Sequence, residues 1–216
     1  MTIMNVGPAA RIVGAIAATI ACSPALLMSA APTAAVPCPD VEVVFARGTT
    51  EPPGVGGIGQ AFVDSLRSKL GGRVVGVYAV NYPASNDFAR SAPSGGDDMS
   101  AHVQGMAHSC PDTRLVLGGY SQGSAVVDLA TTSMPSDVAD NVAAAAEFGG
   151  ARSSFADSLS AGPLPSVGPL YTAKTIEMCV PNDPICDEGG WDMRAHGAYI
   201  QTGMVNDAAS FAASRI

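Results

Sequence analysis

Apolar positions follow two alternating rhythms along this chain. Val41-Glu42-Val43-Val44-Phe45-Ala46 is a short β-branched run closed by Arg47-Gly48, which predicts a buried strand. Ile58, Phe62, Leu66 and Leu70 then share one helical face, and Gly71-Gly72 ends the helix. Arg73 to Val80 predicts a second buried strand. Residues 83–96, rich in Pro, Ser, Gly and Asn, predict a loop, and Asp97-Asp98 opens a helix to about Ser109 with carboxylates at its positive end. Leu115 to Tyr120 predicts the third strand, and Ser121 opens the next helix. Val142 to Phe148 and Thr172 to Cys179 are strands four and five, residues 151–171 are loop-like, and Ala195 to Ile216 forms a closing helix. Strands alternating with helices imply a parallel sheet covered on both faces. In such sheets ligands bind beyond the carboxyl ends of the strands, and Ser121 stands at one of them.

The first 35 residues break this pattern. Arg11 is their only charge, an apolar run from Ile12 to Ile20 follows, and small residues gather around Ser29 to Ala35. That order predicts a secretory signal peptide over 1–35, cleaved near Ala31 or Ala35, ahead of one domain over 36–216. Pro24 and Pro32 interrupt the apolar stretch, which argues against a membrane anchor. Thr19-Ile20-Ala21-Cys22 loosely resembles a bacterial lipoprotein site, so a form lipidated at Cys22 is the alternative.

Composition narrows the class. The chain has 216 residues, 47% of them hydrophobic and 14% charged, enough for one α/β domain with a real core. Loss of Arg11 with the signal takes the formal charge from -8 to -9. An acidic chain without a basic cluster makes a poor nucleic-acid binder, because phosphate neutralisation supplies most of that affinity. Outside the signal four cysteines remain, Cys38, Cys110, Cys179 and Cys186, which permit three pairings. Cys179 and Cys186 are close enough for a local clip, leaving Cys38 to tie the N-terminus to the segment before Ser121. A four-thiolate zinc site is the rival, but its paired spacing is too wide for a zinc knuckle.

Gly119-Tyr120-Ser121-Gln122-Gly123 matches G-x-S-x-G, with a strand before it and a helix after. A serine hydroxyl attacks only when a base takes its proton. In the hydrolase order of nucleophile, acid, then histidine, His196 alone qualifies, since His102 and His108 precede Ser121 on a helix surface. Glu147, Glu177, Asp183, Asp187 and Asp192 lie between Ser121 and His196. Asp183 is the first choice, inside the Cys179–Cys186 clip, with Asp187 second. Oxyanion donors would come from the backbone of Gln122 and from Thr49 in the turn after strand one. Gly54 to Gly59 also fits G-x-G-x-x-G, but Pro52-Pro53 separate it from the strand and no acid occurs from Ser65 to Asn86 to bind a ribose. Those glycines instead shape a turn, and no cofactor or metal is expected.

Taken together, Ala46-Arg47-Gly48-Thr49-Thr50-Glu51, the Ser121 elbow, the Cys179…Asp183…Cys186 clip and His196 resemble the cutinase family of secreted serine esterases, specifically its mycobacterial cutinase-like branch. The resemblance covers about Cys38 to Ile216. It implies a three-layer α/β-hydrolase-type fold with a five-stranded, mainly parallel sheet and no lid domain. It also implies a triad of Ser121, Asp183 and His196, an oxyanion hole of Thr49 and Gln122, and disulfides Cys38–Cys110 and Cys179–Cys186. Many cutinases carry serine where Thr49 stands, so an extra methyl lies beside the acyl group. The function expected is hydrolysis of short- to medium-chain acyl esters, lipids or cutin-like polyester among them, by a secreted monomer that touches lipid surfaces transiently. Residues 83–95 and 186–195 are the expected acyl contacts. The alternative is a secreted, catalytically silent binding protein on the same scaffold.

Overall fold

The computed structural model describes residues 1–3, 7, 37–160 and 162–216. The signal segment predicted over 1–35, with Cys22 and both cleavage positions, falls almost wholly outside them. From Pro37 onward the order is β1 (Val41–Ala46), α1 (Gly56–Leu70), β2 (Val75–Ala79), α2 (Phe88–Ser109), β3 (Arg114–Tyr120), α3 (Gln122–Ser133), β4 (Val142–Phe148), α4 (Ser154–Ser160), β5 (Thr175–Met178) and α5 (Met204–Ala213). The strands form one sheet in the order β2-β1-β3-β4-β5, every neighbouring pair parallel.

Strand periodicity divides the core between the two faces of this sheet. Val41, Val43 and Phe45 of β1 join Val116, Ala144 and Phe148 against Phe62 and Leu66 of α1 and Ala208 and Ala212 of α5. Phe45, Phe62 and Phe148 form a ring cluster with centroids 5.8–6.4 Å apart. On the other face Val44, Leu115, Leu117 and Ala145 pack against Met99 and Val103 of α2 and Val126 and Ala130 of α3. Both faces are covered, so the central strands read as nearly continuous apolar runs.

Several boundaries differ from the sequence expectation. The helix expected from Asp97 begins at Phe88, inside the predicted loop, and carries Pro93. Its Ser91, Ala92, Gly95 and Gly96 are buried because α2 lies close on α3: a methyl at Gly95 would sit 2.6 Å from Val126. Loop-like composition there is small-residue helix packing. Residues 151–171, expected to be loop, contain α4. The closing helix is only Met204–Ala213, and His196 sits earlier in a separate 3-10 turn, Ala195–Gly197. β2 is a half-exposed edge strand instead of a buried one. His102 is no simple surface residue; its Nε2 lies 2.8 Å from Glu42 and its ring stacks on Tyr78. Both disulfides join the cysteines as the resemblance implied, Cys38 with Cys110 and Cys179 with Cys186.

Candidate active site

At the carboxyl end of β3 the chain turns sharply into α3, and Ser121 occupies the turn at φ 55°, ψ -119°. A non-glycine residue there is strained, which is how a hydroxyl is lifted clear of the sheet. The flanking glycines are steric necessities. A Cβ on Gly119 would lie 2.1 Å from Gly123 O, and one on Gly123 would lie 2.0 Å from Ala46 O. Gln122 N–H, first in α3, has no acceptor among the described residues, and it points from the positive end of the helix. The Gln122 side chain is buried and clamped: Nε2 donates to Ser85 O at 2.9 Å and Oε1 accepts from Ser91 Oγ at 2.9 Å.

Thr49 reaches the same place from the turn after β1. Its Oγ1 is buried and without a partner among the described residues. Two charged neighbours hold its turn. Arg47 donates to Glu51 O and Tyr82 O, each at 2.8 Å, and the Glu51 carboxylate accepts from Gly48 N at 2.6 Å and Gly57 N at 2.9 Å. Glu51 thereby caps the G-x-G-x-x-G segment, whose Gly54 and Gly56 take positive φ in the turn into α1.

Asp183 and His196 arrive from beyond β5. Asp183 is wholly buried inside the disulfide-closed loop, and its carboxylate accepts from His196 Nδ1 at 2.8 and 3.0 Å, Tyr199 OH at 2.5 Å and Ile185 N at 2.9 Å. Burial pushes the carboxyl up, but the donated hydrogen bonds from His196, Tyr199 and Ile185 outweigh it and hold it below the usual range. An ionised carboxylate only accepts, so Nδ1 carries the proton and Nε2 is left with a lone pair. Asp187 does not compete, because its Oδ2 accepts from Asn182 N at 2.7 Å. Asp192 pairs with Arg194 on the surface.

Ser121, Gln122, Thr49 and His196 all line one cavity of about 290 Å³. No hydrogen bond joins Ser121 Oγ to His196 among the described residues, and what brings the two together is the cavity they both line. Phe88, Leu159, Leu164, Ile185 and Met193 supply the apolar wall. The expected segments contribute Asn86, Phe88 and Met193. Missed by the sequence reading were α4, with Ala156 and Leu159, and the Leu164 segment after it. Phe155 and Leu159 at i and i+4 were the available helical signal.

Glu147 and Glu177 serve elsewhere. Arg152, just after β4, bonds Asp128 of α3 at 3.0 Å, Glu147 at 3.0 Å and Glu177 at 3.1 Å. Its backbone N donates to Ile185 O, two residues beyond Asp183, at 3.0 Å. Burial pushes the Asp128 carboxyl up to about 6 against the pull of Arg152, and burial together with Asp128 raises Glu147 well above its ordinary value. Among the described residues no His, Cys, Asp and Glu cluster suits a metal ion, and no helix is long and apolar enough to cross a membrane. With every cysteine from Cys38 onward in a disulfide, the four-thiolate alternative is excluded.

The cutinase family profile matches residues 37–216. A carboxylesterase of Mycobacterium tuberculosis, Culp1, is 54% identical over 212 residues, covering 95% of each chain. The phospholipase Culp4 of the same organism is 46% identical, covering 97% of this chain and 94% of its own. Among solved structures, a Trichoderma reesei cutinase in complex with a phosphonate inhibitor superposes with a TM-score of 0.66 at 37% identity, over 82% of this chain and 77% of that one. The catalytic core of acetyl xylan esterase from the same fungus gives 0.71 at 26%, over 83% and 100%. A family profile that spans the whole domain and a relative 54% identical over 95% of both chains agree with the elbow serine and parallel sheet described above: the chain belongs to the cutinase family.

Proposed function

We propose that this chain is a secreted serine carboxylesterase acting through an acyl-enzyme on Ser121. His196 Nε2 takes the Ser121 proton as the hydroxyl attacks an ester carbonyl. Asp183 keeps Nδ1 protonated and stabilises the imidazolium that forms. Gln122 N–H, Thr49 N–H and the Thr49 hydroxyl stabilise the oxyanion, which collapses as His196 protonates the leaving alcohol. Water, deprotonated by His196, then attacks the acyl-enzyme, and the second oxyanion collapses to release the acid as His196 gives that proton to Ser121 Oγ. The observation that carries this reading is the unpartnered, buried Thr49 Oγ1, which lines the same cavity as the strained Ser121 and the acid-bound His196.

The cavity volume fits short to medium acyl chains. The cavity measures about 290 Å³ and is walled by the apolar side chains of Phe88, Leu159, Leu164, Ile185 and Met193. Leu159 and Met193 line the cavity and are also exposed, so its mouth carries an apolar edge, and their sequence neighbours Phe155 and Trp191 are exposed as well. This apolar rim suits transient contact with a lipid surface, from which a monomer would draw an ester or lipid substrate. Export is supported by the apolar, small-residue segment over 1–35 and by two disulfides, which persist in oxidising compartments.

The test is hydrolysis of a p-nitrophenyl ester chain-length series by the purified protein beside Ser121→Ala. The folded variant is expected to lose about 10⁴-fold or more in kcat. Equal activity in both proteins would remove Ser121 from the chemistry, and silence in both would favour the binding-protein alternative.

A further inference from the structure

Tyr199 is fully buried and lies outside the cavity, three residues past His196. Its ring packs edge-on against Phe148 and Tyr120 at centroid distances of 5.9 and 6.1 Å. A phenylalanine would fill that space equally well. The hydroxyl is what core packing does not explain: it donates to Asp183 Oδ2 at 2.5 Å, with Cys186 Sγ 3.5 Å away. Oδ2 is also the closer acceptor for His196 Nδ1, at 2.8 Å against 3.0 Å for Oδ1. Two donors therefore draw on one oxygen, while Ile185 N holds the other at 2.9 Å.

Resting on the reading of Asp183 and His196 as acid and base, we propose that Tyr199 is a positioning residue for the esterase reaction: its hydroxyl locks the Asp183 carboxylate and, by sharing Oδ2, sets how strongly His196 holds a proton. A carboxylate that donates part of its negative charge to a phenol stabilises the imidazolium less. The oxygen that His196 Nδ1 leans on most closely is thus shared with the phenol, and its hold on the ring depends on the Tyr199 hydroxyl. The other titratable groups around the pair are accounted for. Tyr120 of β3 gives its hydroxyl to His196 O at 2.9 Å; the Glu51 carboxylate is held by Gly48 and Gly57; Asp187 holds Asn182 N; Asp192 and Arg194 pair with each other. Only Tyr199 donates a side-chain proton to Asp183 besides His196 among the described residues.

The experiment is the pH dependence of kcat/KM for p-nitrophenyl butyrate with Tyr199→Phe, with Ser121→Ala and His196→Ala beside it. The acid limb of Tyr199→Phe is expected to move up by about half to one pH unit, with kcat down several-fold and KM unchanged. Phe148→Leu, a neighbouring core change that leaves Asp183 alone, is expected to lower the melting temperature without moving the limb. Folded Tyr199→Phe with the wild-type limb and kcat would overturn the role of Tyr199 while the losses in Ser121→Ala and His196→Ala leave the esterase reading standing. Retained activity in either of those two would overturn both. Should Tyr199→Phe fail to fold, 3-fluorotyrosine placed at position 199 supplies a stronger donor and must move the limb down; an unmoved limb overturns the proposal.

Discussion

Replacing Arg152 by methionine removes the single cation that serves three carboxylates, two of them, Asp128 and Glu147, essentially without solvent. Methionine fills much of the volume, so the change isolates the charge. Removing one partner of a buried ion pair typically costs about 3–5 kcal/mol, because the remaining charge has neither water nor counter-ion. For a domain of this size that corresponds to a melting temperature lower by about 10 °C. The loss must depend on pH in a definite direction. Asp128 and Glu147 bind protons more tightly folded than unfolded, so their contribution to stability is intact below the ordinary carboxylate range and is lost as pH rises through about 6 for Asp128. Without Arg152 both carboxyls hold their protons to higher pH still, so the deficit grows from pH 5 to pH 8. Urea unfolding followed by far-UV circular dichroism at the two pH values measures it. The triple variant Arg152→Met, Asp128→Asn, Glu147→Gln is expected to recover most of the loss at pH 8. A deficit under about 1 kcal/mol at pH 8, or one larger at pH 5, would refute the reasoning.

Thr49→Val keeps the shape and backbone N–H but loses the hydroxyl; it is expected to lower kcat by about 10²–10³-fold with KM little changed, whereas Thr49→Ser stays near wild type in the same steady-state assay. Cys38→Ser with Cys110→Ser opens a closure spanning 72 residues and is expected to destabilise by about 4 kcal/mol in urea titration, without changing the acyl-chain preference. Leu159→Trp fills part of the cavity, so kcat/KM for p-nitrophenyl octanoate is expected to fall at least about tenfold relative to the acetate. An unchanged ratio would place the acyl chain elsewhere.

The sheet was legible because its strands are buried on both faces and so read as continuous apolar runs, as in Val41–Ala46 and Val142–Phe148. Residues with a steric reason for their identity were legible too: Gly119 and Gly123 are demanded by backbone contacts a few residues away. Ser121 was singled out by its glycine-flanked turn between a strand and a helix, His196 by being the one histidine after it, and Asp183 by its place inside the Cys179–Cys186 clip. What failed has a common cause. Ser91, Gly95 and Gly96 carry loop propensities that packing on α3 overrides, Pro93 is carried on the exposed face of α2, and α4 has too few residues for a helical period to stand out. Partner choice was hidden as well. Nothing in the spacing distinguishes Glu147 and Glu177, gathered by Arg152, from Asp183, gathered by His196, since that choice is made by side chains from distant segments.

The Cys38–Cys110 bridge lies at the opposite end of the strands from the serine. Near it Thr113 Oγ1 donates to Pro39 O at 2.7 Å and Arg114 N to Asp40 O at 3.0 Å, which seats the start of the domain at the amino ends of β1 and β3. At about 3.3 Å per residue, the six residues of β1 set that seat roughly 20 Å from the Thr49 turn. A bead, label or fusion partner joined at Pro37 itself would therefore stand at the end of the sheet away from Ser121, with the mouth of the cavity on the far side. Such tethering leaves the approach of a bulky or insoluble ester unobstructed.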